Sequence, residues 1–338
     1  MVQKALITGC SGAELTADEQ AFFREHRPCG LILFARNCIS SEQIAELSAA
    51  VRACVAGSEL LILVDQEGGR VQRMGPPQWR TYPAARNFGR LYDSDAGEGV
   101  AAAGAVARLM AKDLFEAGIN ADCAPVLDLP APGAHDIIGD RAYSSDPETT
   151  IALARAVAQG LLDGGVLPVI KHMPGHGRAR ADSHETLPVI SASLEELSVS
   201  DFKPFMALND LPLAMTAHVV LSAVDDVAPA SVSAPIISQV IRKRIGYGGL
   251  IMSDDLDMAA LTGTLGERTS SVIAAGCDVA LHCSGKLADM EDVADAAPEL
   301  SAAARARLKA AFGQLKTPVA FDQDQAERWL KKAFAAAA

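Results

Sequence analysis

Eight short apolar runs punctuate the chain, each followed by a longer amphipathic stretch. They cover residues 5–9 (ALITG), 30–35 (GLILFA), 60–65 (LLILVD), 121–127 (ADCAPVL), 167–172 (LPVIKH), 213–220 (LAMTAHVV), 249–254 (GLIMSD) and 278–283 (DVALHC). Each is a continuous apolar run rather than an alternation of apolar and polar residues, which is the pattern of a strand covered on both faces. Helical spacing fills the intervals. Ser40 and Gln43 suggest a capping box ahead of Ile44, Leu47, Val51 and Val55. Val106, Leu109, Met110 and Leu114 mark a second helix. Ala154, Val157 and Leu161 mark a third, stopped by Gly164–Gly165, and Ile237, Val240, Ile241 and Ile245 a fourth. Strands alternating with helices predict a closed parallel (β/α)8 barrel, of the TIM type. An open doubly wound sheet is the alternative that periodicity does not separate from it. No linker or low-complexity segment divides the chain, so one barrel is expected over residues 1–338, with an Ala-rich helical tail from about residue 286 packing on its outside.

Composition narrows the function. At 338 residues the chain is large enough for a substantial core without staples. A net charge of -12 opposes nucleic-acid binding, and no basic run is present. The seven cysteines are odd in number, without a CxxC, and read as scattered reduced thiols. The N-terminus lacks the apolar stretch of a secretory signal, and no segment approaches a membrane span. A cytoplasmic monomer is expected, with neither nucleic-acid nor membrane partners.

The polar residues concentrate at strand ends. Asp65 and Glu67 follow LLILV, Asp128 follows APVL, Lys171 and His172 follow LPVI, His218 follows AMTA, and Asp254 and Asp255 follow GLIMS. In a barrel these ends converge on one mouth, the face that carries catalysis. Two segments are dense in candidates. Residues 171–177 (KHMPGHG) lead through a short loop to Asp182-Ser183-His184, where a carboxylate two residues from an imidazole can orient it and favour its cation. Residues 252–258 (MSDDLDM) put a carboxylate at a strand tip. Adjacent strand residues point to opposite sides, so Asp254 and Asp255 should not share a role. Asp255 or Asp257 reads as a helix N-cap, and Asp254 as functional. Gly68-Gly69 reads as a tight turn and not a phosphate loop.

At these residues the sequence resembles glycoside hydrolase family 3, and within it the single-domain bacterial β-N-acetylglucosaminidases. KHMPGHG (171–177) with DSH (182–184) carries the resemblance. VDQEGGRVQR (64–73), APVLDL (124–129), IGDRAYSSD (138–146), TAHVV (216–220) and MSDDLDM (252–258) follow in family order. The resemblance implies a retaining β-N-acetylhexosaminidase that releases N-acetylglucosamine, with anhydro-muropeptides of cell-wall recycling as substrate. It assigns Asp254 as nucleophile, His184 as general acid/base and Asp182 as its partner. It assigns Asp65, Arg73, Arg141, Lys171 and His172 to sugar binding, and it requires neither metal nor organic cofactor. A histidine acid is neutral once it has given its proton, so it repels an anionic acceptor such as phosphate less than a carboxylate would. Met173 stands where the family has an aromatic, and His282–Gly285 lacks an expected Asn. Arg178 and Arg180 are candidates to meet an acidic part of the substrate. Other readings of the same residues are a metal-dependent hydrolase using His172, His176, His184, His218 and Asp254, Schiff-base chemistry at Lys171, and a catalytically silent sugar binder.

Overall fold

The computed structural model describes residues 2–183 and 186–336. Every apolar run contributes a barrel strand: β1 (Lys4–Thr8), β2 (Pro28–Leu33), β3 (Leu61–Val64), β4 (Ala121–Asp122), β5 (Leu167–Met173), β6 (Leu213–Thr216), β7 (Leu250–Asp255) and β8 (Val279–His282). They pair in parallel in chain order, and β1 bonds to both β2 and β8, so the barrel is closed and the open-sheet alternative falls. The continuous apolar runs have a two-sided cause. Ile7, Ile32, Leu63, Val169, Met215, Met252 and Leu281 fill the interior. Their chain neighbours Leu6, Leu31, Val64, Ile170, Ala214, Ile251 and Ala280 pack in the outer layer with the helices.

Some strands are shorter than their runs. Pro125 offers no N–H, and beyond Asp122 the ladder survives as separate bonds: Cys123 N–H to the Val64 carbonyl and Leu127 N–H to the Lys171 carbonyl, each 2.8 Å. The helices follow their signals. Helix Pro147–Asp163 starts at Asp146, whose carboxylate accepts the Thr149 N–H at 2.8 Å, and ends at Gly164–Gly165. Helix Ser41–Cys54 is capped by Ser40, which accepts the Gln43 N–H at 3.2 Å. The reciprocal half of the expected capping box is missing, because the Gln43 carboxamide oxygen takes the Ile39 N–H instead. Residues Ile236–Arg244 form a π-helix, continued by the Ile245 N–H to the Val240 carbonyl, five residues back, at 2.8 Å.

The tail divides where an outside position was expected throughout. Leu300, with Ala304, Leu308 and Ala311 of helix Ala302–Phe312, joins the interior cluster. The Ala5 N–H to Pro298 carbonyl bond (2.8 Å) and the Leu300 N–H to Gln3 carbonyl bond (2.8 Å) place this segment at the N-terminal end of the strands. It stoppers the barrel's base. Helix Leu287–Ala296 packs in the outer layer on helix Leu265–Ala275, and the last helix, Gln323–Ala335, lies outside along helix Ala96–Glu116. All seven cysteines are free, and among the described residues no helix is long and apolar enough to cross a membrane.

Candidate active site

The mouth is built from strand tips and the loops that follow them. After β3 the chain makes an antiparallel hairpin, Gln66–Gly68 against Val71–Gln72. Gly68 and Gly69 adopt φ of 92° and 59°. A Cβ on Gly68 would stand 2.3 Å from the Pro83 carbonyl oxygen, so the turn needs glycine on both counts. The hairpin returns Arg73 to Asp65, with Nη2 3.0 Å from Oδ2. Lys171, at the end of β5 and only 2% exposed, sets Nζ 2.8 Å from Asp65 Oδ1 and 2.6 Å from Glu67 Oε1. Arg141 forks onto Glu67 through Nε (2.9 Å) and Nη2 (2.8 Å). Three cations and two carboxylates thus alternate along one wall. Burial pushes both carboxyls up, but Lys171 with Arg73 or Arg141 outweighs it and holds both below the usual range. Burial pulls Lys171 down, yet Asp65 and Glu67 hold it firmly protonated.

A third carboxylate, the fully buried Asp128, organises the histidines. His172 donates from Nδ1 to Asp128 Oδ2 at 2.6 Å, and its Nε2 lies 3.5 Å from Arg141 Nη2. The His176 backbone N–H takes Asp128 Oδ1 at 2.6 Å. Asp254 is the penultimate residue of β7, and its Oδ1 accepts the Asp255 N–H at 2.9 Å. Burial raises the Asp254 carboxyl, but the His218 and His172 rings, the Asp255 N–H and Lys171 together lower it below the ordinary carboxylate value. Burial depresses His218, against the opposing charge of Asp254. His218 itself sits beneath the site. Its Nε2–H donates to the Asp255 carbonyl (2.9 Å), and Ser231 Oγ donates to its Nδ1 (2.6 Å).

Most of these groups line a cavity of about 340 Å³, with Glu67, Asp128 and His218 behind its wall. Its walls bring together Asp65, Arg73, Arg141, Lys171, His172 and Asp254 of the sequence candidates. Asp182 is half-buried in the loop after β5, and His184 lies outside the described residues. Arg70 reaches the rim, but its guanidinium is committed to the 136–140 loop, 3.3 Å from Asp140 and 2.7 Å from the Asp136 carbonyl. Arg178 does not line the cavity. It pairs with Asp201 and Glu196, each at 2.7 Å. Glu67, Asp128, His176 and His218 were visible as polar residues near strand ends, but their supporting roles were not, because each role depends on a partner remote in sequence.

Two expectations at β7 fail. Asp254 and Asp255 both line the cavity rather than opposite faces, because the β7–β8 register shifts between Met252 and Asp255. Neither Asp255 nor Asp257 caps a helix. The next helix, Leu265–Ala275, is capped by Thr264, while Asp255 Oδ1 accepts the N–H groups of Asp257 and Cys283, each at 3.2 Å. Burial, then the charges of Asp257 and Asp254, push the Asp255 carboxyl up to about 7. An acid raised in the folded state contributes stability below its unfolded pKa, near 4, and loses it as pH rises through about 7. Asp255→Asn keeps the acceptor and removes the charge. It is expected to leave urea stability at pH 4 little changed and to raise it at pH 8 by about 4 kcal/mol. Equal shifts at both pH values would contradict this.

Among the described residues, a group with metal-ligand spacing is Asp257, His282 and Asp289, not Asp254 with the mouth histidines. That group closes on itself through Ser284 Oγ, 3.0 Å from His282 Nε2 and 3.1 Å from Asp289 Oδ2.

Fold and mouth together describe a closed (β/α)8 barrel with a charged pocket at the C-terminal ends of its strands, the face that carries catalysis in barrel enzymes. The family model for the glycosyl hydrolase family 3 N-terminal domain matches residues 4–317. A β-hexosaminidase of Alkalilimnicola ehrlichii is 40% identical over 288 residues, 84% of this chain and 82% of that protein. NagZ from Neisseria gonorrhoeae, solved in complex with N-trifluoroacetyl-D-glucosamine, superposes with a TM-score of 0.87 at 32% identity, covering 100% of this chain and 99% of that one. A family 3 β-N-acetylglucosaminidase from a Paenibacillus strain gives 0.87 at 27% identity, over 98% of this chain and 67% of its own. The chain belongs to glycosyl hydrolase family 3.

Proposed function

We propose that this glycoside hydrolase is a retaining β-N-acetylhexosaminidase that removes one terminal β-linked N-acetylglucosamine, from anhydro-muropeptides, as a monomeric single barrel. The observation that carries the reading is an ionised Asp254 inside a cavity of about 340 Å³. That volume is at the small end of ligand sites of roughly 300–1,000 Å³ and suits one sugar ring rather than a chain. Asp254 attacks the anomeric carbon and forms a glycosyl ester as the bond to the leaving oxygen breaks. The His184 imidazolium, oriented by Asp182, gives that oxygen its proton. The neutral ring then takes a proton from the water that cleaves the ester. Lys171 has three donors, of which Asp65 and Glu67 take two, leaving one for a sugar hydroxyl. Asp65, Arg73, Arg141 and His172 supply the remaining contacts that orient the ring.

The test compares matched aryl glycosides. The N-acetylglucosaminide should exceed the glucoside in kcat/KM by about 10²-fold or more, the discrimination of a site built around a polar substituent. Comparable rates would instead place the chain with the β-glucosidases of the family. A slow fluorinated N-acetylglucosaminide should leave its adduct on the peptide bearing Asp254, and an adduct elsewhere would overturn the assignment.

A further inference from the structure

We propose that His176 is a positioning residue: it grips the Ser183 hydroxyl and thereby fixes where the Asp182-Ser183-His184 segment presents its proton donor. The proposal rests on the reading of His184 as the acid.

The grip starts from Asp128, whose carboxylate holds the His172 ring with one oxygen and the His176 backbone with the other, both at 2.6 Å. The His176 ring is 3% exposed and packs edge-on to His172, centroids 6.0 Å apart. Its Nε2 lies 3.1 Å from Ser183 Oγ, and Ser183 is 2% exposed. Ser183 is held from the other side too. Its backbone carbonyl accepts the Ala260 N–H at 3.2 Å, from the loop that follows Asp254. One residue between Asp182 and His184 is therefore tied to the β5 loop by its side chain and to the β7 loop by its main chain.

The stretch before it is fastened as well. Gly177 folds so closely on Leu129 that a Cβ there would stand 2.0 Å from the Leu129 oxygen. The Gly177 and Ala179 carbonyls accept the Ala131 and His135 N–H groups at 3.0 and 2.8 Å, and Arg178 is locked onto Asp201. Residues 180–182 thus span between two fixed points.

The tautomer follows from accounting for hydrogens. Among the described residues His176 Nδ1 is buried without a partner. A buried bare acceptor is commoner than an orphaned N–H, so Nε2 carries the hydrogen and donates to Ser183 Oγ. The Ser183 hydroxyl hydrogen is then free to point into the cavity that Ser183 lines. Burial, opposed by Asp128, pushes the ring down to about 4, so it stays neutral and serves as a fixed donor rather than as an acid.

The test measures kcat/KM, which reports glycosyl-enzyme formation, for N-acetylglucosaminides with leaving groups of graded acidity. His176→Ala and Ser183→Ala should each lose about 10–100-fold on poor leaving groups, the scale of a misplacement near 1 Å, and under about 3-fold on a dinitrophenyl glycoside. The double variant should lose no more than either single one, and His176→Gln, which keeps a donor, should recover part of the loss. If His176→Ala does not fold, Ser183→Ala decides alone, because it deletes one oxygen. Uniform loss across leaving groups, or no loss, overturns the proposal. His184→Ala in the same series separates the two readings. A steep dependence there with a flat one for Ser183→Ala refutes the grip alone, whereas a flat dependence for His184→Ala refutes the acid assignment beneath it.

Discussion

Asp254→Asn is expected to reduce kcat by about 10⁴-fold or more, the scale for losing a group that forms the covalent bond. The variant isolates charge from shape. Its carboxamide oxygen can still accept the Asp255 N–H, and it fills the same space at the tip of β7. Thermal stability should stay within a few degrees of the parent, because the hydrogen bond survives and the cost of burying a charge disappears. Asp254→Ala should abolish the same activity, and added azide should recover it in part as the α-glycosyl azide, since a small anion can enter the space and attack the face that the carboxylate has vacated. Wild-type turnover in the Asn variant would remove Asp254 from the chemistry.

Lys171→Met is expected to be the most destabilising single change at the mouth. The ammonium lies 2.8 Å from Asp65 and 2.6 Å from Glu67, on a side chain only 2% exposed. Removing it strands two buried carboxylates with only Arg73 and Arg141 for partners. Breaking a buried pair costs about 3–5 kcal/mol, or a fall in Tm of roughly 5–15 °C. The pH dependence identifies the cause. In the parent both carboxyls are held below their unfolded values. Their contribution is therefore present above about pH 4 and lost as pH falls through the lower folded values. In the variant they take up protons more readily, so its deficit should be largest near pH 7 and shrink towards pH 4. A pH-independent deficit would mean that lost packing, not charge, is responsible. Sugar affinity should fall in parallel, because the wall that meets the hydroxyls is no longer fixed.

The barrel was legible because its strands are buried twice. A residue such as Ile7 packs inside and its neighbour Leu6 outside, so each run stands out as uninterrupted apolar sequence. Where a run ends is less legible. The stretch 121–127 looks like one strand, but Pro125 cannot continue the ladder. The mouth residues were legible as polar groups at strand tips, and the family motif assigned several of them roles. What pairs with what was not, because Lys171 meets Glu67 across 104 positions and His172 meets Asp128 across 44. The shift that swings Asp255 into the cavity is a property of two strands together, invisible in either alone. The tail was read from its Ala-rich composition, which does not show that Leu300 and Leu308 find the open end of the barrel.

That stopper has a kinetic corollary. With the interior filled by side chains and the base covered by Leu300, Ala304, Leu308 and Ala311, the mouth pocket has no exit through the barrel. The severed aglycone must back out past the same rim through which the second-step nucleophile enters. An aglycone slow to leave would therefore stand between the ester and the incoming water.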